Sequence, residues 1–208
     1  MPTWVQVMTR VTEANVPHAP LWDAGWYRPA QHHPSPNFGP RPNSTAVDLV
    51  VLHSISLPPG VYGGNAVHQL FSNQLDATAH PYYAQLVGLQ VSAHFFIQRD
   101  GSLSQFVSCD DRAWHAGRSS HQGRENCNDF SVGIELEGLE GDPFESAQYR
   151  CLLTLLPALA LRYPIAAIAG HEHIAPGRKA DPGAGLQWQW LQAHLGWAPR
   201  CFPEGVLT

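Results

Sequence analysis

The stretch "FSVGIELEG", residues 130–138, alternates apolar and polar side chains and predicts one strand of a sheet. Three apolar residues are predicted to share one face of that strand: Val132, Ile134 and Leu136. The opposite face carries Gly133 and two carboxylates, Glu135 and Glu137. The strand should therefore pack one face into a core and hold two acids on the other.

Further strands are predicted on the N-terminal side of this stretch. "VDLVVLH", residues 47–53, is short, apolar and β-branched, which is typical of a buried strand, and it ends on His53. "SAHFFIQRDGSLSQFV", residues 92–107, contains two strand-like runs around Arg99, Asp100 and Gly101, which indicates a hairpin.

Three stretches have helical spacing of their apolar residues: 64–74, 146–164 and 186–197. Asn65 is the predicted N-cap of the first helix. The second has a predicted apolar face of Tyr149, Leu152, Leu153, Leu156 and Leu159. Pro157 lies inside that helix and predicts a bend or a break, because proline removes one backbone hydrogen bond. The mixture of elements predicts a single α/β domain with a central mixed β-sheet flanked by helices.

The length of 208 residues suits one domain with a sizeable core. We place an N-terminal extension and lead-in segment at residues 1–33, the main domain at 34–197 and a C-terminal tail at 198–208. The first 18 residues carry little pattern and are expected to form a loose extension.

The composition restricts the classes of binding partner and the cellular compartment that we expect. The formal net charge is −5 and the chain has no basic run, which argues against nucleic acid as the main partner. No apolar run reaches membrane-spanning length, and the N-terminus does not resemble a secretory signal. The four cysteines form no C-x-x-C pair, which favours a reducing compartment. We expect a soluble, cytoplasmic monomer without a membrane partner.

Polar chemistry is concentrated in "GHEHIAPGRKADPG", residues 170–183, which its glycines and prolines predict to be a loop. A catalytic zinc site needs three protein ligands and an open position for water. His53 and this segment supply the candidate ligands: His53, His171, His173, Asp181 and Glu172. Each alone is more often an ordinary hydrogen-bonded residue.

Two further residues would complete a hydrolytic site beside such a metal. Glu135 is placed to orient and deprotonate water, with Glu137 as a rival on the same face. Lys179 is placed to stabilise the oxyanion of a tetrahedral intermediate, with Arg178 as its rival. Metal, base and oxyanion donor together are suited to hydrolysis of an amide.

Several motifs resemble those of one family, and they occur in family order between residues 34 and 182: "PSPNF", "VLHSISLPPG", "HPYY", "VSAHFFIQRDG", "RAWHAG", "GRENCNDFSVGIELEG", "AQY" and "GHEHIAPGRKADPG". The chain resembles the AmpD-type N-acetylmuramoyl-L-alanine amidases of the zinc amidase and peptidoglycan-recognition-protein superfamily. The resemblance implies a zinc ion in a surface groove, bound by His53, His171 and Asp181. It also implies that Glu135 and Lys179 are catalytic, and it leaves His173 out of the ligand set.

The substrate implied by the resemblance is a soluble anhydro-muropeptide. The amide between 1,6-anhydro-N-acetylmuramic acid and L-alanine would be hydrolysed during cell-wall recycling, which lowers the muropeptide signals that induce β-lactamase. Candidate substrate contacts are Ser54, Trp114, His115 and Asn126. Trp114 and His115 either line the substrate groove or take part in ordinary packing. Ser54 and Asn126 depart from the family, in which asparagine and a basic residue are common at these positions.

Two alternatives stay open at this stage. One is a recognition module that binds muropeptides without cutting them. The other is an exported amidase that acts on intact peptidoglycan.

Overall fold

A computed structural model describes residues 20–207 of the chain. The expectation of a loose extension over residues 1–18 lies outside the described residues. The strands are β1 Trp22–Asp23, β2 Trp26–Tyr27, β3 Gln31–His32, β4 Phe38–Gly39, β5 Leu49–Ile55, β6 Phe95–Ile97, β7 Leu103–Gln105, β8 Arg112–Ala113, β9 Ser120–His121, β10 Arg124–Glu125, β11 Ser131–Glu137 and β12 Ala167–Gly170. The α-helices are α1 Ala66–Phe71, α2 Ser146–Arg162, α3 His171–Ile174 and α4 Trp188–Leu195. Short 3-10 helices span Pro81–Leu86, Cys127–Asp129 and Pro199–Cys201.

Six of these strands form the main sheet, in the order β12-β5-β11-β6-β7-β3. β5 and β11 pair in parallel over seven residues each, and β12 and β6 join their outer edges in parallel. β6 and β7 are antiparallel, which confirms the predicted hairpin. The predicted mixed sheet flanked by helices is therefore confirmed.

The main core lies on one face of the sheet, under α2 and α4. Side chains from the even-numbered positions of β5 and β11, such as Leu52 and Ile134, pack there against Leu152 of α2 and Leu191 of α4. The odd-numbered positions face the other way, against α1 and the loops that follow β7. The strand predicted at residues 130–138, with apolar and polar side chains on opposite faces, is confirmed as β11, and both of its faces are buried.

The helix α2 is continuous from Ser146 to Arg162 in spite of Pro157. Its start is fixed by a capping box, in which the Glu145 N–H donates to Oε1 of Gln148. Gln148 is fully buried and donates to the carbonyl oxygens of Ile97 and Glu137, so the helix start is anchored on the sheet. Tertiary packing of this kind outweighs the single hydrogen bond that the proline removes.

Several local expectations differ from the structure. The buried face of α2 includes Leu155, whereas the predicted Leu153 is only partly buried. Asn65 occupies the N-cap position of α1, as predicted, but its side chain makes no capping hydrogen bond. The helix predicted within residues 186–197 is confirmed as α4.

The packing extends beyond the boundaries that we placed at residues 34 and 197. Tyr27 and Phe202 are both buried in the same core as α2, and β3 joins the main sheet at its edge. Two-residue strands and short 3-10 turns carry no periodic pattern, so these contributions could not be predicted from the sequence. Within residues 20–207, no helix is both long enough and apolar enough to span a membrane.

Candidate metal centre

The sequence predicted that β5 ends on His53. In the structure His53 lies inside the strand, because β5 continues to Ile55 through its pairing with β11. In that pairing His53 is the direct neighbour of Glu135. Directly paired residues of adjacent strands point to the same face, so the two side chains stand side by side. His53 is buried, with 1% of its surface exposed.

The segment 170–183 brings a second histidine and a carboxylate to the same place. It was expected to be a loop, but it begins with one helical turn, α3, that starts at His171 directly after β12. Asp181 returns to this turn because the Glu172 N–H donates to its carbonyl oxygen at 2.9 Å. His171 and Asp181 are both buried.

Three potential ligand atoms therefore face one another. Nδ1 of His53 lies 2.9 Å from Nδ1 of His171, and each of these nitrogens lies 3.2 Å from Oδ2 of Asp181. Ligand atoms at roughly 2.0–2.1 Å from a tetrahedral zinc are about 3.3 Å apart, so the observed triangle has nearly the size that zinc requires. Two imidazoles and one carboxylate are also a usual ligand set for catalytic zinc. The residues present are compatible with the ion that the sequence predicted.

The charges of the three side chains favour a cation between them. Burial lowers the pKa of His53 from 6.5 to about 4, so its ring is neutral and its nitrogen is free to act as a ligand. Burial acts to raise the pKa of Asp181, but the close contacts of its carboxylate with the imidazoles of His171 and His53 outweigh this, and the net pKa is lowered. A carboxylate with two neutral imidazoles provides one negative charge for the ion.

The two acids of β11 have different surroundings. Glu137 accepts hydrogen bonds from the backbone N–H groups of Gly63 at 2.5 Å and Arg99 at 3.0 Å, which gives it a structural role. Oε2 of Glu135 is buried, and it has no hydrogen-bond partner within residues 20–207. Burial, with a further contribution from the charge of Asp181, raises the pKa of Glu135 well above its ordinary value. A buried carboxylate without a partner beside a metal triangle is typical of a general base.

The two cations of the segment also differ. Arg178 donates to the carbonyl oxygens of Ala116 and Arg118, each at 2.7 Å. Lys179 is exposed and lines the same cavity as His53 and Glu135. It is also the only lysine in the chain, since the other eleven basic residues are arginines.

A cavity with a volume of about 320 Å³ contains the metal triangle, Glu135 and Lys179. Of the predicted substrate contacts, Ser54, Trp114 and His115 line this cavity. Asn126 is not among the lining residues; it is exposed and has a left-handed backbone at the start of a 3-10 turn. The structure thus brings three of the four together and leaves Asn126 apart.

The remaining histidine and acid of the segment have structural contacts. Nδ1 of His173 accepts a hydrogen bond from the Gly170 N–H at 3.0 Å, and Glu172 accepts one from the Gly183 N–H at 2.8 Å. Neither belongs to the triangle of ligand atoms. This agrees with the interpretation that left His173 out of the ligand set.

Residues 115 and 116 support both histidines of the triangle. Nε2 of His53 lies 2.9 Å from Nδ1 of His115, and Nε2 of His171 lies 3.0 Å from the carbonyl oxygen of Ala116. Oδ1 of Asn128 accepts the backbone N–H groups of both residues, at 3.1 and 2.8 Å. The roles of Ala116 and Asn128 were not predicted, since backbone contacts of this kind leave no residue pattern.

His94 supports the sheet next to this site. It is fully buried, and its Nδ1 accepts a hydrogen bond from the Gly133 N–H at 3.0 Å, while Nε2–H donates to the Asp111 carbonyl oxygen. Burial, and then the positive charge of Arg41, lower the pKa of His94 from 6.5 to about 3. The folded protein therefore keeps this ring neutral under conditions in which the unfolded chain would protonate it.

We expect this to make the metal-free protein acid-sensitive. Below the ordinary pKa of 6.5 the unfolded state binds a proton that the folded state rejects, so stability falls as the pH drops from 6.5 towards 3. Between about pH 7.5 and about pH 5, His94 should account for a loss on the order of 2 kcal/mol. Urea unfolding in the presence of a chelator would measure it. The His94→Asn variant keeps an acceptor for Gly133 and should show a smaller loss over the same interval; an equal loss would contradict the assignment.

A mixed sheet that holds a His–His–Asp triangle beside a buried, unpartnered carboxylate is typical of mononuclear metal hydrolases. The model of the N-acetylmuramoyl-L-alanine amidase family matches residues 43–184, and the chain belongs to this family. The 1,6-anhydro-N-acetylmuramyl-L-alanine amidase AmpD of Citrobacter freundii is 49% identical over 175 residues, which cover 83% of this chain and 94% of that protein.

Two solved structures extend the comparison. The crystal structure of a selenomethionine derivative of AmpD has a TM-score of 0.81 at 49% identity, covering 83% of this chain and 98% of that one. The amidase AmiD from E. coli, in complex with the substrate anhydro-N-acetylmuramic acid-L-Ala-D-γ-Glu-L-Lys, has a TM-score of 0.52 at 27% identity. That match covers 74% of this chain and 60% of AmiD.

Proposed function

We propose that this protein is a zinc-dependent amidase that cleaves the bond between 1,6-anhydro-N-acetylmuramic acid and L-alanine in soluble muropeptides during cell-wall recycling. The observation that carries the proposal is the triangle of His53, His171 and Asp181 next to Oε2 of Glu135, which has no hydrogen-bond partner in the described part of the chain. The similarity of this chain to AmpD supports the choice of substrate. The three potential metal-ligand atoms and the carboxylate of Glu135 argue for an enzyme and against a module that only binds muropeptides.

The proposed roles follow from the surroundings of each residue. His53, His171 and Asp181 would hold zinc, which in such sites polarises a carbonyl group and activates water. Oε2 of Glu135 would take the proton of the attacking water and pass it to the nitrogen of the leaving L-alanine. The raised pKa of Glu135 favours this role, because a weakly acidic carboxyl group holds the proton until the amine leaves.

Lys179 would act on the oxygen of the reacting carbonyl group. Its ammonium group would donate a hydrogen bond to the carbonyl oxygen, which gains negative charge in the tetrahedral transition state. The indole of Trp114 lines the same cavity and would pack against the substrate. Ser54 is the remaining polar contact that we propose for the substrate.

Replacing Lys179 with methionine is expected to reduce kcat by about tenfold to a hundredfold while zinc stays bound, because the cation acts on the transition state and not on the metal. The exposure of Lys179 to solvent sets this range below that of a fully buried donor. Steady-state kinetics together with metal analysis would measure both quantities. Arg118→Met removes another exposed cation, one that does not line the cavity, and serves as the control; an equal loss in that variant would contradict a specific role for Lys179.

We also propose that the enzyme acts as a monomer in the cytoplasm, where it would lower the muropeptide signals that induce β-lactamase. All four cysteines are free thiols, which is usual in a reducing compartment. The rival of an exported amidase predicts a different substrate, the intact wall.

One comparison separates the two substrates. The zinc-loaded protein is incubated with anhydro-muramyl-tripeptide and, separately, with intact sacculi, and the released peptide is measured. We expect rapid release from the soluble substrate and little from sacculi. Equal or faster release from sacculi would contradict the proposed substrate and compartment, while leaving the amidase chemistry in place.

A further inference from the structure

We propose that His115 is a positioning residue of the metal centre: it accepts a hydrogen bond from Nε2–H of His53 and so fixes the tautomer in which Nδ1 of His53 faces the metal. The inference rests on the proposed function, in which His53 is a zinc ligand. It assigns to His115 a role different from the predicted contact with substrate.

The direction of each hydrogen bond follows from the last member of a chain. Oγ of Ser131 lies 2.6 Å from the carbonyl oxygen of Cys127, and a carbonyl oxygen only accepts, so the serine hydroxyl donates to it. Oγ of Ser131 is then an acceptor for Nε2 of His115 at 3.1 Å. Nε2 of His115 therefore carries the proton of the neutral ring, and Nδ1 of His115 is an acceptor.

The next member of the chain is the metal ligand. Nδ1 of His115 lies 2.9 Å from Nε2 of His53, so Nε2 of His53 is the donor. The neutral His53 ring then has its lone pair on Nδ1, the atom that lies 2.9 Å from Nδ1 of His171 and 3.2 Å from Oδ2 of Asp181. Ligating histidines are commonly oriented by a hydrogen bond to their other nitrogen, and losing that partner typically lowers metal affinity by about 10- to 100-fold.

The sheet is built to receive the ring of His115. A Cβ atom at Gly133 would lie 2.6 Å from Nδ1 of His115, so a larger residue at this position of β11 would displace the ring. Ser131, Gly133 and Glu135 follow one another on the same face of β11. The strand therefore supplies, in order, the acceptor for the ring, the space for it and the proposed general base.

The backbone of His115 is also held. Its N–H donates to Oδ1 of Asn128, as does the N–H of Ala116. Both ring nitrogens are engaged by His53 and Ser131, so the ring has no free nitrogen to offer a substrate. These contacts favour a role in orienting the metal ligand.

The test compares His115→Phe with His115→Asn. Phenylalanine fills the space without an acceptor, whereas Oδ1 of asparagine takes a place close to that of Nδ1 of His115. Zinc dissociation constants are measured by chelator competition. We expect His115→Phe to raise the dissociation constant by about 10- to 100-fold, and His115→Asn to stay within a few-fold of the original protein. Equal zinc affinity in the Phe variant would overturn the proposal.

A spectroscopic measurement tests the tautomer itself. In the zinc-loaded, ¹⁵N-labelled protein, long-range ¹H–¹⁵N correlations should place the shared proton on Nε2 of His53 and leave Nδ1 of His115 unprotonated. A proton bonded to Nδ1 of His115 would overturn the inference. If His115→Phe does not fold, Ser131→Ala provides the test. It removes the acceptor that holds the proton on Nε2 of His115, so the ring can adopt the opposite tautomer, and zinc binding should weaken severalfold. Unchanged affinity would overturn the inference.

The control variant and the unmodified protein keep this test separate from the test of the proposed function. His68→Phe replaces another partly buried histidine that hydrogen-bonds a serine, Ser104, at 2.9 Å, and it should leave zinc affinity unchanged. If the unmodified protein binds no zinc, the proposed function fails. If it binds zinc and cleaves substrate, and His115→Phe retains its affinity, only the role of His115 is contradicted.

Discussion

Replacing His53, His171 or Asp181 with alanine is expected to remove zinc and amide hydrolysis together, with a loss of activity of about a thousandfold or more. Each substitution deletes one of three ligand atoms that lie 2.9–3.2 Å apart, and two protein ligands are too few for a stable catalytic zinc site. The lost polarisation of carbonyl and water is worth several kcal/mol, and each 1.36 kcal/mol is about tenfold in rate.

The matched control for this prediction is His173→Ala. His173 lies on the same helical turn as His171, two residues further on, but it hydrogen-bonds the Gly170 backbone and lies outside the triangle. Atomic absorption of the purified variants gives the metal content, and hydrolysis of a muropeptide gives the activity. His173→Ala should keep about one zinc per chain. Full activity in a ligand variant that contains no metal would refute the assigned site.

Replacing Glu135 with glutamine is expected to reduce kcat by at least about a hundredfold while zinc remains bound, because a general base contributes roughly 10²- to 10⁴-fold. The amide keeps the size of the side chain but cannot take a proton from water. Since Oε2 of Glu135 has no hydrogen-bond partner within residues 20–207, the folded state should lose little stability.

Glu137→Gln is the natural comparison, because Glu137 lies two residues along the same face of β11. Its carboxylate accepts two backbone N–H groups, so its replacement should lower the free energy of unfolding by about 1–2 kcal/mol with little effect on kcat. Urea unfolding and kinetics on both variants separate the two effects. If Glu137→Gln abolished activity and Glu135→Gln did not, the assignment of the base would be wrong.

Local pattern was enough to predict the central elements of this fold: four of the six strands of the main sheet, β5, β6, β7 and β11, and the helices α1, α2 and α4. Alternation identified β11, the turn at Gly101 identified the β6–β7 hairpin, and helical spacing identified α2 and α4. Local pattern could not give the length of β5 or its register with β11. The extension of β5 to Ile55, two residues past His53, follows from pairing with a strand about eighty residues away, and such pairing leaves no trace in either segment alone.

In the candidate site, too, some features could be predicted from the sequence and others could not. Ligand-type residues and their chemistry pointed to His53, His171 and Asp181, and the family resemblance selected them from the other candidates. The resemblance also favoured Glu135 over Glu137, but residue pattern alone could not separate them, because both occupy the same face of one strand and differ only in what surrounds them. The support from Ala116 and Asn128 could not be predicted, since it uses backbone groups and distant parts of the chain.

Product analysis with and without metal is the decisive measurement for the proposed zinc-dependent cleavage. Anhydro-muramyl-tripeptide is incubated with the zinc-loaded protein, with protein depleted by a chelator, and with depleted protein to which zinc is returned, and the products are identified by mass spectrometry. We expect intact 1,6-anhydro-N-acetylmuramic acid and a free tripeptide that begins with L-alanine, formed only in the two zinc-containing samples. Cleavage at another bond, cleavage that persists after zinc is removed, or no cleavage by the zinc-loaded protein would refute the proposed reaction.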